Sequence, residues 1–470
     1  AGGFGFPGNG TKSAARGGAY MLSVTGPEAL QFNPALLSRL DGHQVTVNTN
    51  LHLFAAEFDR AGNAPYSEKG SFDGDPIDNA AVQAETLLFP APSLYLSSDL
   101  GLDDFSLAIA AYGPNAVGHR KWPKDGPQRF LLIESEVLEI YYSLAAGYNL
   151  GGFRFGGTFQ LAQLLAKFKT VTSSALGVPD ENPNDDAVTS LDVTDLQPTG
   201  ILGVAYDVNQ SLSFGAIYRF PIDFVADGTV TTEFAPCGLA GKKPGMGNNE
   251  NCEDKNGGVG ARLTDDTAKF KVSEPDEFQV AARYAHLDGD REIFDVELLV
   301  GYERWSVLKD YEIIAPGPVE IQLGNSPTEL ILQPNLIPHR WKDTYSVRLG
   351  GDINLDEFLT VRLGGFYDTA ASKSAYSNID FIAHDRYGIG FGASIYAGDF
   401  DIDLGYLAVI YADREVTDGD VKVLSPLQAD NSNNPVANNG SYKAFNNVFS
   451  VGFTYRYDGA RNAYTPRVTE

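Results

Sequence analysis

The sequence predicts an all-β protein, a transmembrane antiparallel β-barrel of about 14 strands with an N-terminal plug. Apolar and polar residues alternate along many segments, and this period of two places different chemistry on the two faces of a strand. Short turns and long loops also alternate along the chain, as in bacterial membrane barrels. No apolar run approaches the roughly 18 residues that a membrane helix requires. Strands are therefore favoured as the membrane-crossing elements.

Composition agrees with a barrel and excludes one class of partner. The 470 residues include 50 Gly, 23 Tyr and 28 Phe, although a soluble all-β protein would share this composition. The formal net charge is -26, from 35 Lys and Arg against 61 Asp and Glu. A protein that binds nucleic acid needs a basic face for the phosphates. We therefore expect no nucleic-acid partner.

The first 42 residues are predicted to form the plug. The segment from Ala1 to Gly42 is dense in Gly and Ala and shows neither helical period nor strand alternation. It is too apolar for a solvated tail and too irregular for a sheet. We therefore expect residues 1–43 to form a hatch within a barrel of residues 44–457. Residues 458–470 then form a periplasmic C-terminal tail.

The barrel strands are predicted as hairpins. The clearest hairpin joins residues 138–148 to residues 153–161, with apolar residues at every second position of both segments. Further short turns are predicted at 101–104, 207–210, 288–290, 354–357 and 397–399. Long outer loops are predicted at 59–84, 113–129, 164–195, 226–266, 315–340 and 418–443.

Charged residues on the polar face of these strands are predicted to point into the barrel. Glu139, Arg348 and Arg362 belong to this set. A lipid-facing Arg or Lys at the membrane midplane would cost roughly 2–4 kcal/mol. Three glycines also lie on this inward face, namely Gly388, Gly390 and Gly392. Small residues there leave room for the plug.

Several segments resemble one family of outer-membrane proteins. Residues 17–20 (GGAY) and 33–37 (NPALL) are similar to the N-terminal hatch of the FadL family of long-chain fatty-acid transporters. Residues 302–306 (YERWS), 342–350 (KDTYSVRLG) and 384–387 (HDRY) also resemble segments of that family, in the same order and spacing. The chain departs from the family in its C-terminal tail and in its acidic loops.

The resemblance implies a route for a hydrophobic substrate. The substrate would land on a groove of the third and fourth outer loops and then reach an inner site at the hatch. It would leave after a hatch rearrangement or sideways through the wall. Asn33, Pro34 and Ala35 would belong to the hatch. Phe4 and Phe6 would line the inner site, or else pack within the hatch.

Residues at the start of the third loop are candidates for the landing groove. Leu161, Leu164, Leu165 and Phe168 have nearly helical spacing, with Lys167 beside them. An acyl chain would lie on the apolar residues, and the lysine would meet its carboxylate. Alternatively, this segment is a strand end that becomes a short loop helix and packs on its neighbours.

The two cysteines, Cys237 and Cys252, lie in one predicted outer loop. Outside the cytoplasm such a pair is expected to be oxidised, so we predict one disulfide. A pair of free thiols or a metal site is the alternative. No other metal site and no cofactor are predicted.

The predicted function is uptake of long-chain fatty acids or other hydrophobic small molecules by a monomer in the bacterial outer membrane. Its surroundings are outer-membrane lipid and lipopolysaccharide. No GxSxG or HExxH motif is present, so we expect no enzyme. A diffusion porin for small polar solutes would explain the charged lumen, and a surface binding or adhesion barrel would explain the long loops. An open porin needs no apolar hatch.

The disulfide gives the first testable prediction. In the unreduced, purified protein we expect Cys237 and Cys252 to resist alkylation, and reduction to make both reactive and shift the gel mobility. A Cys237→Ser variant, which frees Cys252, is the labelling control. Two reactive thiols before reduction would contradict the prediction.

Overall fold

The computed structural model describes most of the chain. The described residues are 2, 3, 5, 9–61, 81–85, 88–113, 118–173, 179, 181, 186–234, 262–263, 265–289, 291–315, 317–323, 326–331, 335–425, 428 and 430–457. Among them, no helix has the length and apolarity that a membrane crossing demands.

Helices occur mainly near the N-terminus of the described chain. They are α1 (Thr11–Ala15) and α2 (Ala29–Phe32), with 3-10 turns at Pro34–Arg39, Trp305–Val307 and Ser374–Tyr376. The first described strands are β1 (His43–Arg60), β2 (Val82–Gln83), β3 (Leu88–Ser98), β4 (Phe105–Tyr112), β5 (Gly118–Lys121), β6 (Glu134–Leu150), β7 (Phe153–Ser173), β8 (Asp186–Asp207), β9 (Leu212–Arg219), β10 (Ile222–Phe234), β11 (Arg262–Leu263) and β12 (Thr267–Glu274). The remaining ones are β13 (Glu277–Asp288), β14 (Arg291–Glu303), β15 (Asp310–Ile314), β16 (Pro318–Leu323), β17 (Ser326–Ile331), β18 (Asn335–Pro338), β19 (Thr344–Asn354), β20 (Leu359–Asp368), β21 (Arg386–Ala397), β22 (Phe400–Tyr411), β23 (Arg414–Val416) and β24 (Gly440–Tyr457).

Strand pairing joins most of these strands into a closed antiparallel barrel of 14 wall strands, so the predicted barrel is confirmed. β11, β16 and β17 form a separate three-stranded sheet. The first strand, β1, pairs with β3 on one side and with the last strand, β24, on the other. His43 lies opposite both Ser98 and Tyr457, which closes the cylinder. Closure pairs the first wall strand with the last, as a barrel that spans a membrane requires.

Four neighbouring wall strands are each built from two segments. They are β9 with β10, β12 with β13, β14 with β15, and β18 with β19. Pro221 separates the first pair and Pro275 the second. Proline lacks the backbone N–H that a ladder needs, so both positions interrupt the pairing.

The two ends of the barrel differ in the length of their connections. At one end, turns of two to six residues join consecutive wall strands, and at the other end at least 12 residues separate them. We call these the turn end and the loop end. The turns lie where the sequence predicts them.

The wall has two chemically distinct faces. Large apolar residues such as Leu144, Phe155 and Phe159 are about half exposed on the outer face. Their polar neighbours, including Ser143 and Gln160, are buried on the opposite, inward face. The apolar band therefore faces outward, where a barrel meets lipid.

The predicted loops 164–195 and 226–266 are too long, because the wall strands run further toward the loop end. β7 continues to Ser173 and β8 begins at Asp186, within the predicted loop 164–195. β10 likewise extends to Phe234, into the predicted loop 226–266. Beyond the apolar band the outer face of a strand meets water, so polar residues such as Lys167 and Lys169 replace the outward apolar residues and the alternation ends.

The N-terminal segment, residues 9–42, is almost entirely buried and contacts the inward face of the wall. A Cβ added at Gly390 would overlap the carbonyl oxygen of Ala14, and one at Gly364 would overlap the Arg16 backbone. Gly392 lies against Ala15, whereas Gly388 lies against the Phe366 ring. The missing side chains let the two backbones approach each other.

Adjacent glycines of β7 give a matched test of this close approach. A Cβ at Gly156 would overlap the Pro34 backbone, whereas one at Gly157 would make ordinary contacts with Leu202. We expect Gly156→Ala to destabilise the protein by about 1–3 kcal/mol through overpacking, and Gly157→Ala to have little effect. Heat-modifiable gel mobility measures the unfolding temperature. Equal temperatures for the two variants would refute the argument.

Candidate functional site

Two cavities lie along the inward face of the wall. The first, the outer pocket, has a volume of about 60 Å³ and lies toward the loop end. Its lining is mainly apolar, including Leu131, Phe168, Leu191, Phe270 and Ile313. Aliphatic and aromatic side chains of this kind suit a hydrophobic ligand.

The second cavity, the inner chamber, has a volume of about 130 Å³ and lies between the wall and the N-terminal segment. Gln31 and Phe32 line it from the segment, and Arg219, Glu274 and Arg348 line it from the wall. The chamber is therefore much more polar than the outer pocket.

Strand β12 connects the two cavities. Phe270 lines the outer pocket and Glu274 lines the inner chamber, four residues further along the same face of β12. At a rise of about 3.3 Å per residue, they are separated by about 13 Å. The rings of Phe168, Phe270 and Tyr311 pack together beside the outer pocket, with centroids 5.3–6.4 Å apart. The apolar cavity thus lies next to the polar one.

Two hydrogen-bond donors in the inner chamber lack acceptors among the described residues. Arg348 donates through Nη2 to Asp368 at 3.2 Å, but its Nη1 has no partner. Gln31 accepts through Oε1 from Asn9 and Tyr95, but its Nε2 has no partner. Both side chains are only 4 % exposed. A buried donor without an acceptor costs about 1–3 kcal/mol, so the chamber is prepared for an acceptor ligand.

Arg219, the other cation of the chamber, is already paired. Its Nε lies 3.3 Å from the Glu277 carboxylate, and its Nη2 lies 3.3 Å from the Gln31 carbonyl oxygen. Arg219 therefore shapes the chamber and positions Gln31.

Buried ion pairs attach the N-terminal segment to the wall. Arg16 donates to both carboxylate oxygens of Asp295, at 2.8 and 3.0 Å, and also to Asp352. Glu297 accepts the backbone N–H groups of three consecutive residues, Met21, Leu22 and Ser23, at 2.6–3.0 Å. The side chains of Arg16, Asp295 and Glu297 are fully buried. These charges compensate one another within the protein.

The predicted hatch residues Asn33, Pro34 and Ala35 form the start of a 3-10 turn. The Asn33 side chain accepts from the Ala35 N–H at 3.1 Å and donates to the Val204 carbonyl at 3.2 Å. Pro34 lies against Gly156. All three are buried and line neither cavity.

The structure divides the predicted landing-groove residues between the two faces of β7. Leu161, Leu165 and Lys167 lie on the outer face, where Lys167 pairs with Asp192 at 3.3 Å. Leu164 and Phe168 lie on the inward face, and Phe168 lines the outer pocket. The nearly helical spacing does not mark a helix here. β7 is a strand with apolar residues on both faces, and such a strand gives the same spacing.

The remaining predicted site residues lie outside the described residues. They are Phe4, Phe6, Cys237 and Cys252.

Arg348, Gln31 and Glu274 were missed as site residues by the sequence analysis. Arg348 was identified only as one of many inward charges, and no sequence signal distinguishes it from Arg362. Within the described part of the chain, no group of three or more His, Cys, Asp or Glu side chains is arranged to hold a metal ion.

Asp368, the last residue of β20, holds two arginines near the chamber. Asp368 accepts from Arg348 and, at 3.0 Å, from Arg386, which also donates to the Gly5 carbonyl. The His384 Nδ1 lies 3.1 Å from the Ala412 carbonyl oxygen. Burial lowers the pKa of His384 to about 3, so its imidazole is neutral and donates this bond.

Comparisons with known proteins agree with this architecture. The sequence profile of a family described as outer membrane protein transport protein (OMPP1/FadL/TodX) matches residues 1–458. No curated protein sequence matches the chain significantly.

Solved structures resemble the chain over nearly its whole length. A Pseudomonas aeruginosa FadL homologue has a TM-score of 0.73 at 17% identity, covering 97% of this chain and 100% of that one. The Ralstonia pickettii toluene transporter TbuX has a TM-score of 0.61 at 14% identity, covering 96% and 99%. The Pseudomonas putida toluene transporter TodX has a TM-score of 0.62 at 16% identity, covering 97% and 99%. At these identities the similarity establishes the fold alone.

The buried ion pairs give a stability prediction. Arg16→Met removes the buried cation beside Glu297 and one of the two arginines that pair with Asp295, the other being Arg283. We expect a loss of about 3–5 kcal/mol. Arg304→Met, which removes a half-exposed arginine paired with Asp276, is expected to cost at most about 1 kcal/mol. Unfolding monitored by heat-modifiable gel mobility compares them. A larger loss in Arg304→Met would contradict the role of Arg16.

Proposed function

Because the chain belongs to the OMPP1/FadL/TodX family of outer membrane transport proteins, we propose that it takes up long-chain fatty acids or similar acidic amphiphiles. The family consists of transporters of hydrophobic compounds and of transport channels, not enzymes. The chain is accordingly an outer-membrane β-barrel. The proposal concerns the substrate and its route.

The observation that carries the proposal is the order of polarity along the inward face. An apolar pocket is followed by a chamber in which Arg348 and Gln31 each have a buried donor without an acceptor. An apolar chain with a carboxylate head group satisfies both environments. A charge-assisted hydrogen bond to such a carboxylate is typically stronger than a neutral one.

A monoaromatic hydrocarbon is the second candidate substrate. TbuX and TodX are described as toluene transporters, and CymD as a monoaromatic hydrocarbon channel. The small, aromatic-lined outer pocket favours such a ligand. A hydrocarbon would leave the donors of Arg348 and Gln31 unsatisfied, so the acidic amphiphile fits better.

Residues 1–43 act as a hatch in this proposal, within a barrel of residues 44–457. The predicted periplasmic tail, residues 458–470, lies outside the described residues. The buried contacts of Arg16 and the N–H groups bound by Glu297 support this role. The inner site then lies where the hatch and the wall meet.

An interrupted seam in the wall supports lateral exit. Among the described residues, β3 pairs with β4 from Ser93 to Ser98 only, and Pro90 and Pro92 lack N–H groups. β4 ends at Tyr112, opposite Tyr141, and both tyrosines line the inner chamber. A substrate leaving the chamber here would reach the membrane without crossing the hatch.

The porin and adhesion alternatives explain less of the geometry. A diffusion porin for small polar solutes does not need an N-terminal segment fixed by fully buried ion pairs. A surface binding or adhesion barrel does not need two cavities below its loops.

Uptake into liposomes tests the proposal. Liposomes that contain the purified protein are expected to take up a labelled long-chain fatty acid but not a small sugar. Arg348→Met is expected to slow fatty-acid uptake by about tenfold, because a hydrogen bond to a charged group contributes about 1.5–3 kcal/mol. Uptake of a fatty alcohol of equal length is expected to change less.

The controls separate the alternatives. Arg304 lies outside both cavities, so the Arg304→Met variant is expected to leave uptake unchanged. Deletion of residues 1–10 is expected to abolish selectivity against the sugar. Rapid sugar uptake by the intact protein would instead indicate an open pore, and toluene uptake without fatty-acid uptake would favour the hydrocarbon.

A further inference from the structure

A gap interrupts the strand pairing of the wall between β12 and β15. β12 pairs with β15 at three positions, ending with Lys271 opposite Glu312, and pairing of the same two wall strands resumes at Glu277 of β13. Among the described residues of these strands, residues 272–275 and residues 305–311 have no ladder partner across the gap. Four residues on one side thus face seven on the other, so the two backbones cannot stay in register.

A crevice opens in the outer surface of the wall at this gap, with a volume of about 350 Å³. Ser273 of β12 lines one side of it, and Val307 and Leu308 line the other. Val225 and Leu336 also line it, and both are about half exposed. The crevice is therefore largely apolar and open to the surroundings of the barrel.

The crevice lies between the two interior cavities. Phe270, Val272 and Glu274 follow one another on the same face of β12. They line the outer pocket, the crevice and the inner chamber, in that order. The crevice thus enters the wall where the outer pocket gives way to the inner chamber.

The facing side of the gap repeats this order. Tyr311 lines the outer pocket, Leu308 lines the crevice, and Trp305 lines the inner chamber. Leu308 and Val272 of β12 are both buried, although they line a crevice that is open to the outside. These two side chains therefore close the crevice toward the interior.

The gap lies at the outer edge of the apolar band. On the neighbouring strands, Tyr218 and Tyr302 precede it, and their hydroxyl groups donate to Asp276 at 3.2 Å and to Asp343 at 2.8 Å. Aromatic residues of this kind are typical of the boundary between membrane and water. Unpaired backbone is not stable against hydrocarbon, but at this level it meets the polar head groups of the outer leaflet.

Charges of both signs surround the crevice. Lys271 and Lys309 line it, and Lys271 pairs with Glu312 at 2.8 Å. Asp223 and Asp310 line it as well. The charges therefore do not select one head group, and the apolar interior of the crevice determines what it accepts, which is an alkyl chain.

We propose that the gap is a side entrance for long-chain amphiphiles that are already dissolved in the outer leaflet. The alkyl chain lies in the crevice while the head group stays at the membrane surface. Displacement of Val272 and Leu308 then admits the molecule between the outer pocket and the inner chamber. Long alkyl chains partition into membranes, so this source is the main one for them, whereas a water-soluble substrate enters at the loop end. The inference rests on the proposed uptake of amphiphiles.

A removable bridge across the crevice tests the entrance. In a Cys237→Ser, Cys252→Ser background, Ser273→Cys and Val307→Cys place one thiol on each side, and a reducible bifunctional thiol reagent joins them. Liposomes that contain the full chain receive either a long-chain alkyl sulfonate dissolved in the bilayer or a short-chain alkyl sulfonate in water. We expect the bridge to lower long-chain uptake severalfold and reduction to restore it. Short-chain uptake is expected to stay constant.

A second pair of thiols provides the matched control. Val280 and Val300 lie opposite each other on the outer face, where the ladder between β13 and β14 is intact. A bridge between Val280→Cys and Val300→Cys in the same background is expected to change the uptake of neither sulfonate.

The outcomes separate the inference from the proposed function. Unchanged long-chain uptake in the protein bridged at the crevice overturns the inference. An equal loss for both sulfonates also overturns it, because the block would then lie on the interior route. If the unmodified protein takes up neither sulfonate, the proposed function itself is wrong.

Photolabelling of the unmodified protein tests the crevice without a variant. A photoactivatable long-chain sulfonate in the bilayer is expected to label Val225, in the crevice, several times more than Val296, on the outer face of β14. Both side chains are 43 % exposed, so contact with lipid alone would label them equally. Equal labelling, or a difference that excess unlabelled sulfonate does not remove, would overturn the inference.

Discussion

Charges in the wall of a membrane barrel have to face its interior, since a lipid-facing arginine or lysine at the midplane costs roughly 2–4 kcal/mol. This constraint collects carboxylates on the inward face, where they need partners. Arg16 of the N-terminal segment supplies a cation to Asp295, and Glu297 accepts three backbone N–H groups of the same segment. The exclusion of charge from lipid thus also provides the attachment points for the first 42 residues.

Close packing completes this attachment. Gly156, Gly364 and Gly390 lie where the backbone of the N-terminal segment touches the wall, and a methyl group at any of them would overlap a main-chain atom. Ion pairs fix the segment along the wall, and the glycines fix its distance. The inner chamber lies between the segment that these contacts hold in place and the wall.

Buried polar groups along the inward face differ in whether each donor and acceptor atom has a hydrogen-bond partner. Arg16 and Arg219 are satisfied by carboxylates and carbonyl oxygens, so they hold the structure. Arg348, Gln31 and Glu139 are buried, yet each has an atom without a partner among the described residues. Buried atoms outside both cavities, such as Arg129 Nη1 and Arg456 Nε, also lack a partner among the described residues. The position of Arg348 and Gln31 in the lining of the inner chamber is therefore what marks them as candidates for ligand binding.

The sequence by itself determined the barrel, its number of strands, the positions of its turns and the inward direction of its charges. Each of these depends on a period of two or on a local turn, which neighbouring residues specify. Only the tertiary structure decided that Lys167 faces outward, that the strands extend beyond their apolar alternation, and that Gln31 and Arg348 line the same chamber. Contacts between distant strands depend on closure of the barrel and on side-chain reach across the lumen, and no local pattern encodes them.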